Sequence, residues 1–194
     1  YGKELWTDYV MAELKKEGKI RHFGISFHDN ADVLDKILTE YPQIEVVQIQ
    51  FNYLDYNDDA VQSRKVYETA AKHGKPVIVM EPVKGESLVN LPPNGRKILD
   101  ELHGGSNASY AIRFAAGFDL NRVVLLGMST FDQMKDNVSF MKEFKSLSDS
   151  ETDALVKVVD SFHELDLIPC TACHYCVEEN HCPSIYGFLN SFPA

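Results

Sequence analysis

The feature that most constrains this chain is a regular alternation of short apolar runs with amphipathic helical segments. Residues 7–18, TDYVMAELKKEG, predict a helix with Thr7 as N-cap and Gly18 as stop signal. RHFGISF (21–27) reads as a strand, and Val33, Leu34, Ile37 and Leu38 mark a helix over about 30–40. The pattern repeats as strand VVQIQFN (46–52), a helix over about 59–73 and strand PVIVMEPV (76–83). A Gly-, Pro- and Asn-rich loop over 84–105 holds a short helix near 95–102. A helix over 106–116 and strand RVVLLGMS (122–129) follow. A helix runs through QMKDNVSFMKEF, with Phe140 and Phe144 expected on its core face. Ser148 and Glu151 form a capping-box pattern opening the last helix, 148–165.

Strict alternation of strand and helix implies a parallel sheet with crossover helices. The strands read as apolar on both faces, as in a sheet covered by helices or curled into a barrel. Neither a Rossmann glycine fingerprint nor a P-loop follows any strand, which favours barrel organisation. A complete (β/α)8 barrel takes about 250 residues, and only four strands are visible here. The expected fold class is therefore α/β: a partial (β/α)8 TIM barrel over residues 1–165, followed by a small Cys-rich segment over 166–194. The terminal strands, RHFGISF and RVVLLGMS, are expected to be open sheet edges, which invite pairing.

Charge and composition narrow the function. With 19 basic and 29 acidic side chains among 194 residues, the net charge is −10, opposite to what a nucleic-acid surface requires. Hydrophobic residues at 44% and charged residues at 25% match a globular chain. No apolar run reaches the roughly 20 residues that cross a bilayer. The first residue is Tyr1, with no basic flank or signal-peptide core behind it, so a processed chain or a fragment is expected. All four cysteines fall between 170 and 182, which points to a metal or redox site in a reducing compartment, and so to a cytoplasmic setting.

Cys170, Cys173 and Cys176 are spaced C-x2-C-x2-C and precede Cys182-Pro183. Two-residue gaps let one tight loop offer three thiolates to three corners of a cubane, and a fourth thiolate closes a [4Fe-4S] site. The last gap is five residues here, against three in the bacterial ferredoxin run. Two other readings stay open: zinc on four thiolates, or with His174 or His181 replacing one, and four unligated thiols.

Five passages together resemble the aldo-keto reductases. ELKKEGKIRHFGIS (13–26) resembles their passage into strand five, VVQIQFNYLD (46–55) their sixth strand, and VIVMEPVKG (77–85) their seventh. LLGMSTFDQMKDN (125–137) resembles their eighth strand and the start of the cofactor-binding helix. CTACHYC with the following CP (170–183) resembles the tail of the iron–sulfur subgroup. The resemblance implies the C-terminal half of such a barrel, with NAD(P)H at a half-site and a carbonyl or alcohol as small-molecule substrate. It implies that Ser26 and Gln48 hold the nicotinamide carboxamide, that amides near Gly127 to Thr130, with Ser129 among them, face phosphate, and that Gln133 and Asn137 contact adenosine. Met80 stands where the family's stacking Tyr is usual, Phe27 where Asn is usual, and Met128 where a Lys grips the 2′-phosphate, which leaves NAD and NADP both open. The catalytic Asp, Tyr, Lys and His belong to the first four strands, so no catalytic residue is assigned here, and His22, His28 and Tyr53 are not given those roles.

Each of these side chains also has an ordinary structural reading: Gln48 as a barrel hydrogen bond, Asn137 as a turn cap, Ser129 as an N-cap. Lys84 at a strand end is read as solvated, as a contact for a cofactor phosphate, or as the partner of Glu81, itself readable as an acid/base group, and the run DYNDD (55–59) is expected to be a helix-capping turn rather than a calcium loop. Three functions follow. The first is the reductase half, inactive alone and completed by an N-terminal half-barrel or by self-association. The others are an electron-transfer or scaffold module, and an inactive truncation.

Overall fold

The computed structural model describes residues 6–165. The elements run α1 (Trp6–Lys16), β1 (Gly24–Phe27), α2 (Ala31–Glu40), β2 (Val46–Gln50), α3 (Ser63–Lys72), β3 (Val77–Met80), α4 (Pro93–Asp100), α5 (Asn107–Ala116), β4 (Asn121–Val124), α6 (Phe131–Met141) and α7 (Asp149–His163). The four strands form one parallel sheet in the order β1-β2-β3-β4, with crossover helices between them. That is an α/β fold consistent with a partial TIM barrel. The tail from 166, with its four cysteines, lies outside the described residues.

Local chemistry sets the boundaries, which are tighter than the sequence reading. Thr7 lies inside α1 rather than at its cap, while Gly18, at φ +70°, ends that segment as expected. Gly24 pairs with Val46 so closely that a Cβ at Gly24 would sit 2.2 Å from the Val46 carbonyl oxygen. Only glycine admits this β1–β2 approach. Asn30 caps α2 by accepting from the Val33 amide at 3.1 Å. α3 starts at Ser63 rather than near 59. Asp58 Oδ1 accepts from the Ala60 and Val61 amides, and Gln62 turns left-handed at φ 54° before the helix begins. The DYNDD run is thus a turn leading into a helix. The α7 capping box forms as its sequence predicts, through Ser148 and Glu151.

The expectation of strands apolar on both faces is corrected. On β2 and β3, Val47, Ile49, Val77 and Val79 are buried against α2, α3 and α5, joining Leu34, Leu38, Val66, Ala70 and Ala115 in the main core. Gln48, Gln50, Ile78 and Met80 alternate with them on the opposite, half-open face. Phe51, fully buried at the end of β2, meets the rings of Tyr67, Phe114 and Phe118 at centroid distances of 5.4, 5.9 and 4.8 Å.

A second core joins α4, α5 and α7 through Leu88, Leu99, Tyr110, Leu155 and Val158. Arg113 of α5 spans to α7, donating to both Glu151 carboxylate oxygens at 2.7 and 3.0 Å and to the Lys145 carbonyl at 2.9 Å. Beside that guanidinium, the Glu151 carboxyl is held below its ordinary range. The β4–α6 flank differs from both cores. α6 contributes no buried residue, and Phe144, expected on a core face, lies beyond the helix end and is exposed.

Candidate functional site

In a parallel α/β sheet, ligands meet the loops at the carboxyl ends of the strands. Ser26 and Met80 lie in the later part of β1 and β3, Gln48 at the middle of β2, and Ser129 beyond the end of β4. The β1–β2 register places Ser26 opposite Gln48, and Gln48 Nε2 donates to Ser26 Oγ at 3.0 Å. The same amide lies 3.5 Å from Met80 Sδ on β3. Ser26 is exposed and Gln48 and Met80 are half-buried, so this row faces the open side of the sheet. A hydroxyl and an amide at that separation offer both a donor and an acceptor to a planar carboxamide.

Next to this row is a buried polar network for which the sequence reading assigned no joint role. Asp55 is 2% exposed and Lys84 is 7% exposed. The Asp55 carboxylate accepts from Gln50 Nε2 at 2.6 Å, from Asn52 Nδ2 at 2.7 Å and, on its other oxygen, from Lys84 Nζ. Asn52 returns the contact, accepting from the Asp55 amide at 2.9 Å, and its Nδ2 also reaches the Glu81 carbonyl at 3.0 Å. This corrects two expectations: Lys84 is not solvated, and its acidic partner is Asp55 rather than Glu81. The Glu81 carboxylate instead accepts from the Gly85 amide at 2.9 Å. One signal of the network was present in the sequence. Gln48, Gln50 and Asn52 recur with period two and so share one face of the strand.

At the start of α6 the geometry is different from the expectation. Thr130, not Ser129, is the N-cap, and it forms a capping box with Gln133. Gln133 Oε1 accepts from the Ser129 amide at 2.8 Å and the Thr130 amide at 3.1 Å. Those amides are satisfied within the chain, and Gln133 is engaged with its own helix end. A phosphate at these amides has to displace that side chain. Asn137 follows Gln133 by one turn on α6 and is half-buried.

Of the residues left without a catalytic role, His28 directly follows β1, two positions beyond Ser26, while Tyr53 and His22 are engaged elsewhere. Tyr53 packs in the second core, and its buried hydroxyl has no hydrogen-bond partner among the described residues. Burial pushes its ionisation upward. His22 Nδ1 lies 3.4 Å from Glu45, at the amino ends of the strands. Among the described residues no group of three His, Cys, Asp or Glu side chains is placed to hold a metal, and no helix is long and apolar enough to cross a membrane.

Comparison with known proteins agrees with this geometry. No curated protein matches the chain. Among solved structures, the holo form of aldo-keto reductase AKR11C1 from Bacillus halodurans is 26% identical with a TM-score of 0.61, the match covering 78% of this chain and 55% of that one. An aldo-keto reductase from Klebsiella pneumoniae, crystallised in complex with NADPH, matches at 16% identity and a TM-score of 0.61, over 79% of this chain and 53% of that one. The chain thus spans about half the length of the solved structures it matches. The sequence profile of the Aldo/keto reductase family covers residues 4–160, from α1 almost to the end of α7. With its parallel sheet and the polar row at its strand ends, the chain belongs to the aldo/keto reductase family.

Proposed function

We propose that this chain is the nicotinamide-side half of an aldo-keto-reductase-type oxidoreductase acting on a small carbonyl or alcohol. The observation that carries the reading is the Ser26–Gln48 pair, set side by side by strand register on the open face of the sheet. When bound, a dihydronicotinamide supplies hydride to a carbonyl carbon. This chain's part is to hold the carboxamide through Ser26 and Gln48, beside the Met80 thioether. The occurrence of NADPH in the Klebsiella pneumoniae structure supports the cofactor class. Ser129, Gln133 and Asn137 are proposed for the adenosine and phosphate end, with Gln133 leaving its capping position to serve it.

The groups that protonate the substrate oxygen are assigned to a complementary half-barrel. Among the described residues β1 and β4 are both edges of the sheet, so a barrel closes only with added strands. Helices already flank both ends, α1 before β1 and α6 after β4. Each seam of a (β/α)8 barrel takes one crossover helix. A second copy of this chain would bring two to each seam, so four strands joined by three helices fit better than self-association.

Cys170, Cys173, Cys176 and Cys182 are proposed to hold a [4Fe-4S] cluster, on the chemistry of a four-thiolate donor set. A reducing, cytoplasmic location goes with that set. The testing experiment is titration of the chain, purified without oxygen, with NADPH and NADH, following nicotinamide fluorescence, alongside iron and acid-labile sulfide analysis. Saturable binding that Gln48→Leu weakens roughly tenfold, with about four irons and four sulfides per chain, supports the reading. Failure to bind either nucleotide overturns the half-site. Zinc without sulfide overturns the cluster. No carbonyl turnover is expected from the 194 residues alone.

A further inference from the structure

The loop after β3 follows an unusual backbone path. Glu81, Lys84 and Glu86 adopt positive φ values of 55°, 48° and 72°, with Gly85 at 54° between them. Three of these four carry side chains that disfavour the left-handed region, so the surroundings must hold the loop in place. Its own turns are short: the Lys84 amide donates to the Glu81 carbonyl at 3.1 Å, and the Ser87 amide to the Lys84 carbonyl at 3.0 Å. Such turns close the loop on itself but do not attach it to the sheet. Two contacts with the segment after β2 do that, Asn52 Nδ2 to the Glu81 carbonyl and Lys84 Nζ to Asp55. Both attachments converge on Asp55, because Asn52 Nδ2 also donates to its carboxylate.

We infer that Asp55 and Lys84 are positioning residues, a buried latch that holds the loop Glu81–Glu86 against the end of β2. A buried ion pair is seldom the most stable filling for its volume, since apolar replacements of similar size often match it. Its use here is directional. An ammonium and a carboxylate with two further donors fix where the loop sits, whereas apolar side chains would slide. The latch stands beside the carboxamide pair: Gln50, which donates to Asp55, shares its strand face with Gln48 and is in register with Met80. Holding the loop therefore also holds the wall of the nicotinamide half-site, and that second consequence rests on the function proposed above.

The test is amide hydrogen exchange on the full chain, read peptide by peptide, with nicotinamide titration in parallel. Two variants are used because either could fold poorly. Asp55→Asn keeps the shape and removes the charge, and the pair Asp55→Leu with Lys84→Met removes both charges together. The expected result is exchange over 81–90 faster by roughly tenfold or more, with α2, α3 and β2 unchanged. Unchanged exchange over 81–90 overturns the latch, as does a uniform rise across the chain, which would mean only global weakening. If the unsubstituted chain binds nicotinamide, its Kd rises roughly tenfold in the charge-free pair, and an unchanged Kd overturns the positioning of that site. If the unsubstituted chain binds none, the nicotinamide reading falls while the exchange result still decides the latch.

Discussion

β3 and β4 are neighbours in one sheet, drawn from runs of nearly equal apolar character, yet they have opposite surroundings. Val77 and Val79 of β3 are fully buried, whereas Val123 of β4 and Leu125 just beyond it are 45% and 43% exposed. On α6, Phe131, Met134, Val138 and Met141 are also exposed, at helical spacing. Apolar side chains exposed together can mark places where something binds. The contrast teaches that an apolar run states a demand for cover without saying which element supplies it. For β3 the cover is α3 and α5, within this chain. For β4 and α6 the described residues contain none.

The largest expected effects come from the covered side. Phe51 is enclosed by four aromatic rings, including Tyr56 edge-on at 5.7 Å, so Phe51→Ala should cost about 3–5 kcal/mol in denaturant unfolding. A loss under about 1 kcal/mol would mean that the covered side is looser than its packing indicates. Next comes Arg113→Met. It leaves Glu151 without its guanidinium and strands the Lys145 and Ser146 carbonyls, for about 3 kcal/mol. Thermal melts of Arg113→Met and Glu151→Gln, alone and combined, should show strong non-additivity. Additive losses would break the link between α5 and α7.

How much of this was legible follows the range of each interaction. The order of elements, the parallel sheet and the α7 capping box were readable, because periodicity and capping act within a few residues. The opposition of Ser26 and Gln48 was readable only through family resemblance, since register is a property of two strands. Lys84 was misread because its partner is 29 positions away: locally a Lys at a strand end looks solvated, and Glu81 looks like its partner. Gln133 was assigned to a ligand when its own helix end also accepts it, a competition that a T-x-x-Q spacing already displays. Phe144 shows the reverse error, an i, i+4 pair taken as a core face where the helix had ended.

Smaller effects sharpen the comparison at the edges of the covered region. Ser148→Ala removes the α7 cap and should cost about 1 kcal/mol. Glu45 ties α1 to the sheet, accepting from Lys15 Nζ at 2.8 Å and the Phe23 amide at 3.1 Å. These contacts, that of Lys15 first, lower its carboxyl from 4.5 to about 2. A depressed carboxylate contributes its stability above the unfolded value and loses it as pH falls from about 4.5 toward 2. The difference in melting temperature between the unsubstituted chain and Glu45→Gln should therefore be full at pH 6, shrink as pH falls below about 4.5 and be small by about pH 2. A difference independent of pH would show that charge has no part in holding α1.

The smallest effect is expected at the most exposed large apolar side chain among the described residues, and it decides what the uncovered flank is. Phe131 is 72% exposed on the first turn of α6. In the chain alone, Phe131→Ser removes almost no buried area, so unfolding should shift by less than about 0.5 kcal/mol. With the Phe51→Ala result, this makes the same residue type nearly silent on one flank and costly on the other. A large loss at Phe131 would mean that α6 is already covered, and a change in sedimenting mass on substitution would identify the cover as a second chain. A silent substitution that also slows aggregation on warming would keep the comparison intact. The flank would then be an open seam, with the sheet edge at β4 and the stripe on α6 awaiting the same partner.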